Sequence, residues 1–172
     1  MPATIFLRIV TPEGVKLSEE VDEFTAPSED GEFGVLAEHR PLMAGLKTGI
    51  VRYRRGDETV AVAVGPGFAK VAFDQANLIV ERFSTKDEVD AVVARKDLKE
   101  AQEGLGKLGS DAAESEWAEL VSASRWAAAR LELYGDAPPA TVVLAHEMRR
   151  LAQDDYSAPA ESSEEPGDEA SA

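Results

Sequence analysis

The hydrophobic pattern of this chain changes period once, at Ser84-Thr85-Lys86-Asp87, and that break limits the possible folds more than any other feature. Before it, apolar segments are short and recur with Gly, Pro, Asn or Asp between them about every 8–12 residues, the pattern of an all-β sandwich. Residues 4–10 place Ile5, Leu7 and Ile9 on one face, and Thr11-Pro-Glu-Gly14 reads as a turn. Short strands follow at 15–17 and 21–26, the second stopped at Pro27. Strands at 50–54 and 59–64 flank a hairpin loop at 55–58. Two more are expected at 68–73 and 78–83, joined by a turn at 74–77. Between the strands at 21–26 and 50–54 lies Gly31-Glu-Phe-Gly-Val-Leu-Ala-Glu-His-Arg-Pro41, whose paired glycines suit strand corners rather than a helix. Residues 1–84 are thus expected to form the β-sandwich domain.

After the break, Val89, Val92, Leu98, Ala101, Leu105 and Leu108 recur mostly at three- and four-residue steps, as on one face of an amphipathic helix. Ser84 and Thr85, followed by Asp87 and Glu88, read as the helix start. Gly104 and Gly106 weaken its end by roughly 1 kcal/mol each relative to alanine. Ser110-Asp111 reads as the cap of a second helix with Trp117, Leu120, Val121, Ala127, Leu131 and Tyr134 on one side. Residues 85–134 are then an αα-hairpin. Trp126 falls about opposite that stripe. It either covers its neighbours or marks a second contact face, against another helix or a partner. Gly135 and Pro138-Pro139 end the helix.

An extra helix is expected at 140–153, within a segment 135–156, and a disordered acidic tail at 157–172. Acids outnumber bases nine to two after residue 134. The extra helix either packs on the hairpin, over Trp126, or hangs free ahead of a solubilising tail.

The formal charge of −15 argues against a nucleic-acid partner and against adsorption to anionic lipid. No apolar run approaches a membrane span, so direct membrane insertion is not expected. The start of the chain lacks a signal-peptide pattern, which predicts a cytoplasmic protein. Cysteine is absent, and the two histidines, His39 and His146, lie in different segments, so thiol chemistry is excluded and a metal centre is not expected. Glu38 and His39 are adjacent, and on an extended strand they would point to opposite faces, which disfavours an acid–base pair. No phosphate-loop, zinc-helix or serine-elbow motif occurs. No catalytic residue, metal or cofactor is expected.

Laid out in this order, the chain resembles the epsilon subunit of the F-type ATP synthase. The matching stretches are Leu7-Arg-Ile-Val-Thr-Pro-Glu-Gly14, Asp30-Gly-Glu-Phe-Gly-Val-Leu36, His39-Arg-Pro-Leu42, Leu46-Lys-Thr-Gly49 and Gly65 to Val71. The resemblance implies a non-catalytic accessory subunit of a rotary enzyme, peripheral on the cytoplasmic face of the cell membrane. Its sandwich would bind the gamma subunit and meet the polar loops of the c-ring, with Glu32 and His39 near the ring. Both also have plain readings, a solvated turn acid and a strand-end hydrogen bond. Ala37-Glu38 stand where the family usually has Pro-Gly.

The resemblance further implies a hairpin that folds down beside the sandwich, or extends along gamma towards the alpha and beta subunits and inhibits ATP hydrolysis. Some relatives hold ATP through an aliphatic-Asp-x-x-Arg-Ala motif. Here Asp90 matches as a nucleotide-binding residue, Val93 replaces the arginine, and Arg95 lies two residues on. Arg125 and Arg130 are five apart rather than one turn apart. The alternative to the subunit is a free-standing regulatory ligand-binding β-sandwich module.

Overall fold

In the computed structural model, which describes residues 3–109 and 112–138, ten strands precede two helices. The strands are β1 (Ile5–Thr11), β2 (Gly14–Val21), β3 (Glu23–Ser28), β4 (Gly31–Leu36), β5 (Leu42–Leu46), β6 (Gly49–Arg55), β7 (Glu58–Val64), β8 (Gly67–Ala72), β9 (Gln75–Val80) and β10 (Phe83–Thr85). They are hydrogen-bonded in the order β10-β7-β6-β3-β5-β8-β9-β1-β2, with β4 on the other edge of β3. β3 changes partner along its length: Glu23 to Thr25 pair with β6, and Ser28 pairs with Leu46 of β5. A strand that changes partner in this way lets one continuous ladder fold into two facing layers. Every strand pairing is antiparallel except β1 with β9, where Phe6 to Val10 run parallel to Gln75 to Ile79.

Alternation explains the core. Ile5, Leu7 and Ile9 of β1 point between the layers, where they meet Val21, Phe24, Val35, Val51, Val62, Val64, Val71 and Leu78. At about 1.5–3 kcal/mol for each large apolar side chain taken from water, this interior dominates the sandwich's stability.

Several local expectations are corrected. Pro27 does not end β3; it pairs with Glu32, and its carbonyl accepts from the Lys47 N–H at 3.3 Å, so only its missing donor had to face away from a partner. The last long strand starts at Gln75, because Phe73-Asp74 alone make the turn, both at positive φ (53° and 54°). Thr85 caps only one 3₁₀ turn (Lys86–Glu88), with the Glu88 carboxylate accepting from the Thr85 N–H at 2.8 Å.

The first helix, α1 (Ala91–Lys107), is capped instead by Asp90, whose Oδ1 accepts from the N–H groups of Val92 (2.9 Å) and Val93 (3.1 Å). α1 continues through Gly104 and Gly106. A Cβ on Gly104 would lie 2.9 Å from Leu120 Cδ2, so this glycine lets the second helix approach. The second helix, α2, spans Glu114–Tyr134 and ends at Gly135 in the left-handed conformation (φ 108°). Ser110 and Asp111, the predicted helix at 140–153, His146 and the tail at 157–172 lie outside the described residues.

α2 buries two faces rather than one. Ala127 and Leu131 pack on Ala94 and Leu98 of α1. Ala129 and Leu133 pack on Ile50, Ala63 and Val89, with Trp126 beside them. The second contact face at Trp126 is therefore turned to the sandwich itself, while Tyr134, placed on the stripe from sequence, is exposed.

Candidate functional site

The hairpin lies on the outer face of β6 and β7. Alternation sends Val51, Tyr53, Val62 and Val64 inwards and leaves Ile50, Arg52, Ala61 and Ala63 outward, where α2 covers them. The seam is apolar at its centre and polar at its rim: Arg52 Nη2 donates to Glu132 Oε1 at 3.0 Å, with both side chains about half exposed. Trp126 is flanked by the Arg82 and Arg130 guanidinium groups, 6.0 and 5.9 Å from its ring centre. Arg130 Nη2 donates to Asp97 Oδ2 of α1 at 2.6 Å, tying the two helices together. Arg95 is bound to Asp136, just past the end of α2, with Nε donating at 2.8 Å. Apart from Trp126 with Arg130, one helical turn apart, none of these contacts stood out in the sequence, because the partners are distant in the chain.

Around Asp90 lies an open groove of about 460 Å³ lined by Asp87, Glu88, Asp90, Val92, Arg95 and Tyr134. Three carboxylates surround it, and its one arginine is neutralised by Asp136. The Asp90 carboxylate is occupied as a helix cap. Val93 stays nearly half exposed, and its side chain supplies no donor. The groove therefore carries net negative charge.

Glu32 and His39 are not brought together. Glu32 is exposed near the β3–β4 turn, opposite Pro27. His39 lies three residues beyond Leu36, at the other end of β4, so roughly 13 Å of strand separates the two levels. The His39 N–H donates to the Leu36 carbonyl at 3.2 Å, and its Nδ1 lies 2.8 Å from the Arg40 carbonyl, an acceptor that calls for a proton on Nδ1. Next to it, Glu38 adopts positive φ (60°) and its N–H donates to Asp74 Oδ1 at 2.6 Å. That bond joins the His39 loop to the strained Phe73-Asp74 turn. Phe73 itself is 91% exposed. This aromatic tip was missed because an apolar residue at a strand end reads as core.

Burial pushes the Tyr53 hydroxyl above its ordinary value, with the Glu19 carboxylate adding to the rise. Among the described residues, no three His, Cys, Asp or Glu side chains are grouped to hold a metal ion, and no helix is long and apolar enough to cross a membrane.

Comparison with known proteins adds the following. The family model described as ATP synthase, Delta/Epsilon chain, beta-sandwich domain matches residues 4–95. The ATP synthase epsilon chain of Magnetococcus marinus is 40% identical over 116 residues, covering 67% of this chain and 85% of the relative. ATP synthase epsilon chain 2 of Syntrophotalea carbinolica is 36% identical over 135 residues, 78% of this chain and 96% of the relative. Among solved structures, a chain of the Euglena gracilis mitochondrial ATP synthase OSCP/F1/c-ring assembly superposes with a TM-score of 0.61 at 24% identity. It covers 79% of this chain and 80% of its own. At that identity the likeness is one of fold.

Proposed function

The chain belongs to the ATP synthase delta/epsilon family, and from that membership we propose that it serves as the epsilon subunit of the central stalk, linking gamma to the c-ring at the membrane surface and restraining ATP hydrolysis through its hairpin. The observation that carries this reading is the match of the whole sandwich to the family's domain, followed by a two-helix hairpin held on the sandwich by a small seam. Among the described residues, five side chains are buried in that seam, with Ala61 and Trp126 partly buried against them. Their summed contribution is roughly 5–10 kcal/mol, within reach of a competing surface on a partner. The hairpin can therefore exchange its seat on β6 and β7 for one on the alpha, beta or gamma subunits without unfolding the sandwich.

In this reading the subunit performs no chemistry of its own, and it sits peripherally on the cytoplasmic face of the membrane within the complex. Glu32 and His39 meet the c-ring loops at separate points, since they occupy opposite ends of β4. Asp90 acts as a helix cap, and the hairpin responds to its protein neighbours rather than to nucleotide. The ligand-binding alternative has less to stand on, because the space between the layers is filled by core side chains.

The test is to mix the full chain with purified gamma and then to assay ATPase activity of the catalytic head with and without it. Co-elution with gamma together with slowed hydrolysis supports both parts of the proposal. Co-elution without any effect on hydrolysis removes the inhibitory role. Failure to bind gamma refutes the stalk assignment.

A further inference from the structure

The groove beside Asp90 has a wall on each part of the hairpin. Asp87 and Glu88 belong to the 3₁₀ turn at its base, Val92 and Arg95 to α1, and Tyr134 to the end of α2. Apolar side chains stand open in it: Val92 is 73% exposed and Tyr134 49%. Val89, which also lines the groove, is one of the residues that seat α2 on β6 and β7. An occupant of this groove therefore touches the hinge, both helices and the margin of the seam at once.

The chain itself leaves at the groove's rim. α2 ends at Tyr134, Gly135 turns the backbone through the left-handed region, and Asp136 is fastened to Arg95 at 2.7 Å. The described residues stop at 138, and residues 140–153 follow directly. A segment tethered so closely meets the groove at an effective concentration on the order of millimolar, so even a weak contact is occupied. A partner from outside has no such advantage.

The composition of that segment matches the groove. Leu144, Met148 and Leu151 recur at four- and three-residue steps, one apolar face of the helix expected there from sequence, with Arg149 and Arg150 on either side of it. These arginines are the only bases after residue 134. Against Glu147 alone they give residues 140–153 a net charge of +1, whereas residues 154–172 carry seven acids and no base. The groove has the opposite sign, since Asp87, Glu88 and Asp90 stand in it and its one arginine is already paired with Asp136.

We propose that residues 140–153 seat in this groove, with Leu144, Met148 and Leu151 against Val92 and Tyr134 and the two arginines among the three carboxylates. The seated segment holds the hairpin on the sandwich. That holding role rests on the reading above, in which the hairpin exchanges its seat. A partner that takes up the hairpin must first displace the segment, so the extension sets the threshold for exchange.

The chain has no cysteine, so Val92→Cys in the full 172-residue chain puts a single thiol in the groove, and its rate of modification by a thiol reagent reports cover. Leu144→Ser with Met148→Ser should raise that rate at least about tenfold. Arg149→Glu with Arg150→Glu should raise it more at low salt than at high, and Asp87→Arg should reverse the effect by restoring opposite charges. A thiol placed instead at Val15, 59% exposed on β2, should react at one rate in every background. In a separate Ala63→Cys chain, whose thiol lies under α2, Leu144→Ser with Met148→Ser should also speed modification about tenfold. If the Val92→Cys thiol reacts equally fast with and without these substitutions, residues 140–153 do not fill the groove and the proposal falls. If it is shielded while the Ala63→Cys thiol is unaffected, the segment covers the groove without holding the hairpin, and the holding role is refuted. Shielding that fades on dilution would overturn the proposal in favour of a second copy as the occupant. Gamma is absent from every arm, so failure here leaves the stalk assignment standing.

Discussion

Leu133→Ala offers the sharpest test of how the hairpin is held. Leu133 is 6% exposed in the seam between α2 and the outer face of β6 and β7. Truncating an enclosed leucine costs about 2–5 kcal/mol, the larger values where a cavity persists. The seam lies at the edge of the sandwich and can partly collapse, so about 2 kcal/mol is expected here. At 1.4 kcal/mol per tenfold, the ratio of docked to undocked hairpin should drop roughly 30-fold.

The rim pair Arg52–Glu132 is about half exposed on both sides, which limits it to at most ~1 kcal/mol, or about a fivefold effect, for Glu132→Gln. The chain contains no cysteine, so Ala63→Cys places a single thiol beneath the docked helix, at a position that is 0% exposed. Its rate of modification by a thiol reagent then reports hairpin opening. In the Ala63→Cys background, Leu133→Ala should raise that rate about 30-fold and Glu132→Gln by no more than about fivefold. The reverse ranking would show that charge pairing, not apolar contact, holds the hairpin. An opening free energy from the labelling rates that equals the global unfolding free energy from urea in every variant would mean that the hairpin leaves only when the sandwich unfolds, and the exchangeable seat would be refuted.

Three further outcomes follow from the packing. Gly67→Ala should destabilise the sandwich by about 2–4 kcal/mol, since its Cβ would fall 2.0 Å from the Ile79 carbonyl oxygen, whereas Gly45→Ala should be neutral or slightly stabilising; urea midpoints compare the two. Asp90→Ala should cost the hairpin about 1 kcal/mol through two lost capping bonds, read as earlier loss of helical circular dichroism. The raised Tyr53 hydroxyl makes its contribution to stability complete below its ordinary value near pH 10 and lost as pH rises through the raised value. Tyr53→Phe should therefore flatten the fall of the urea midpoint above pH 10.

The sequence by itself determined the order of the elements and their type. Strand alternation is a nearest-neighbour property, and it suffices to place Ile5, Leu7 and Ile9 in the core. The change of period after Ser84 likewise fixed the passage from sheet to helices, and the ordered motifs between Leu7 and Val71 pointed to the family that the comparisons show. Local pattern failed where one short feature had two readings. Thr85 and Asp90 are both acceptable caps, and only the run of helical hydrogen bonds from Ala91 distinguishes them. Phe73 looked like the last residue of a strand and is the tip of a tight turn.

The tertiary structure alone decided which apolar residues are already matched. α2 has two buried faces because a sheet lies behind it, so Trp126 could not be placed from a helix wheel, and Gly104 reads as a weak point until Leu120 is found against it. Strand register aligns Gly45, Phe68, Ile79, Val10 and Val15 across five strands, and so joins residues up to 69 positions apart. Separation in sequence hides such a row because strand pairing is settled by the burial of a whole face. No local segment holds that information.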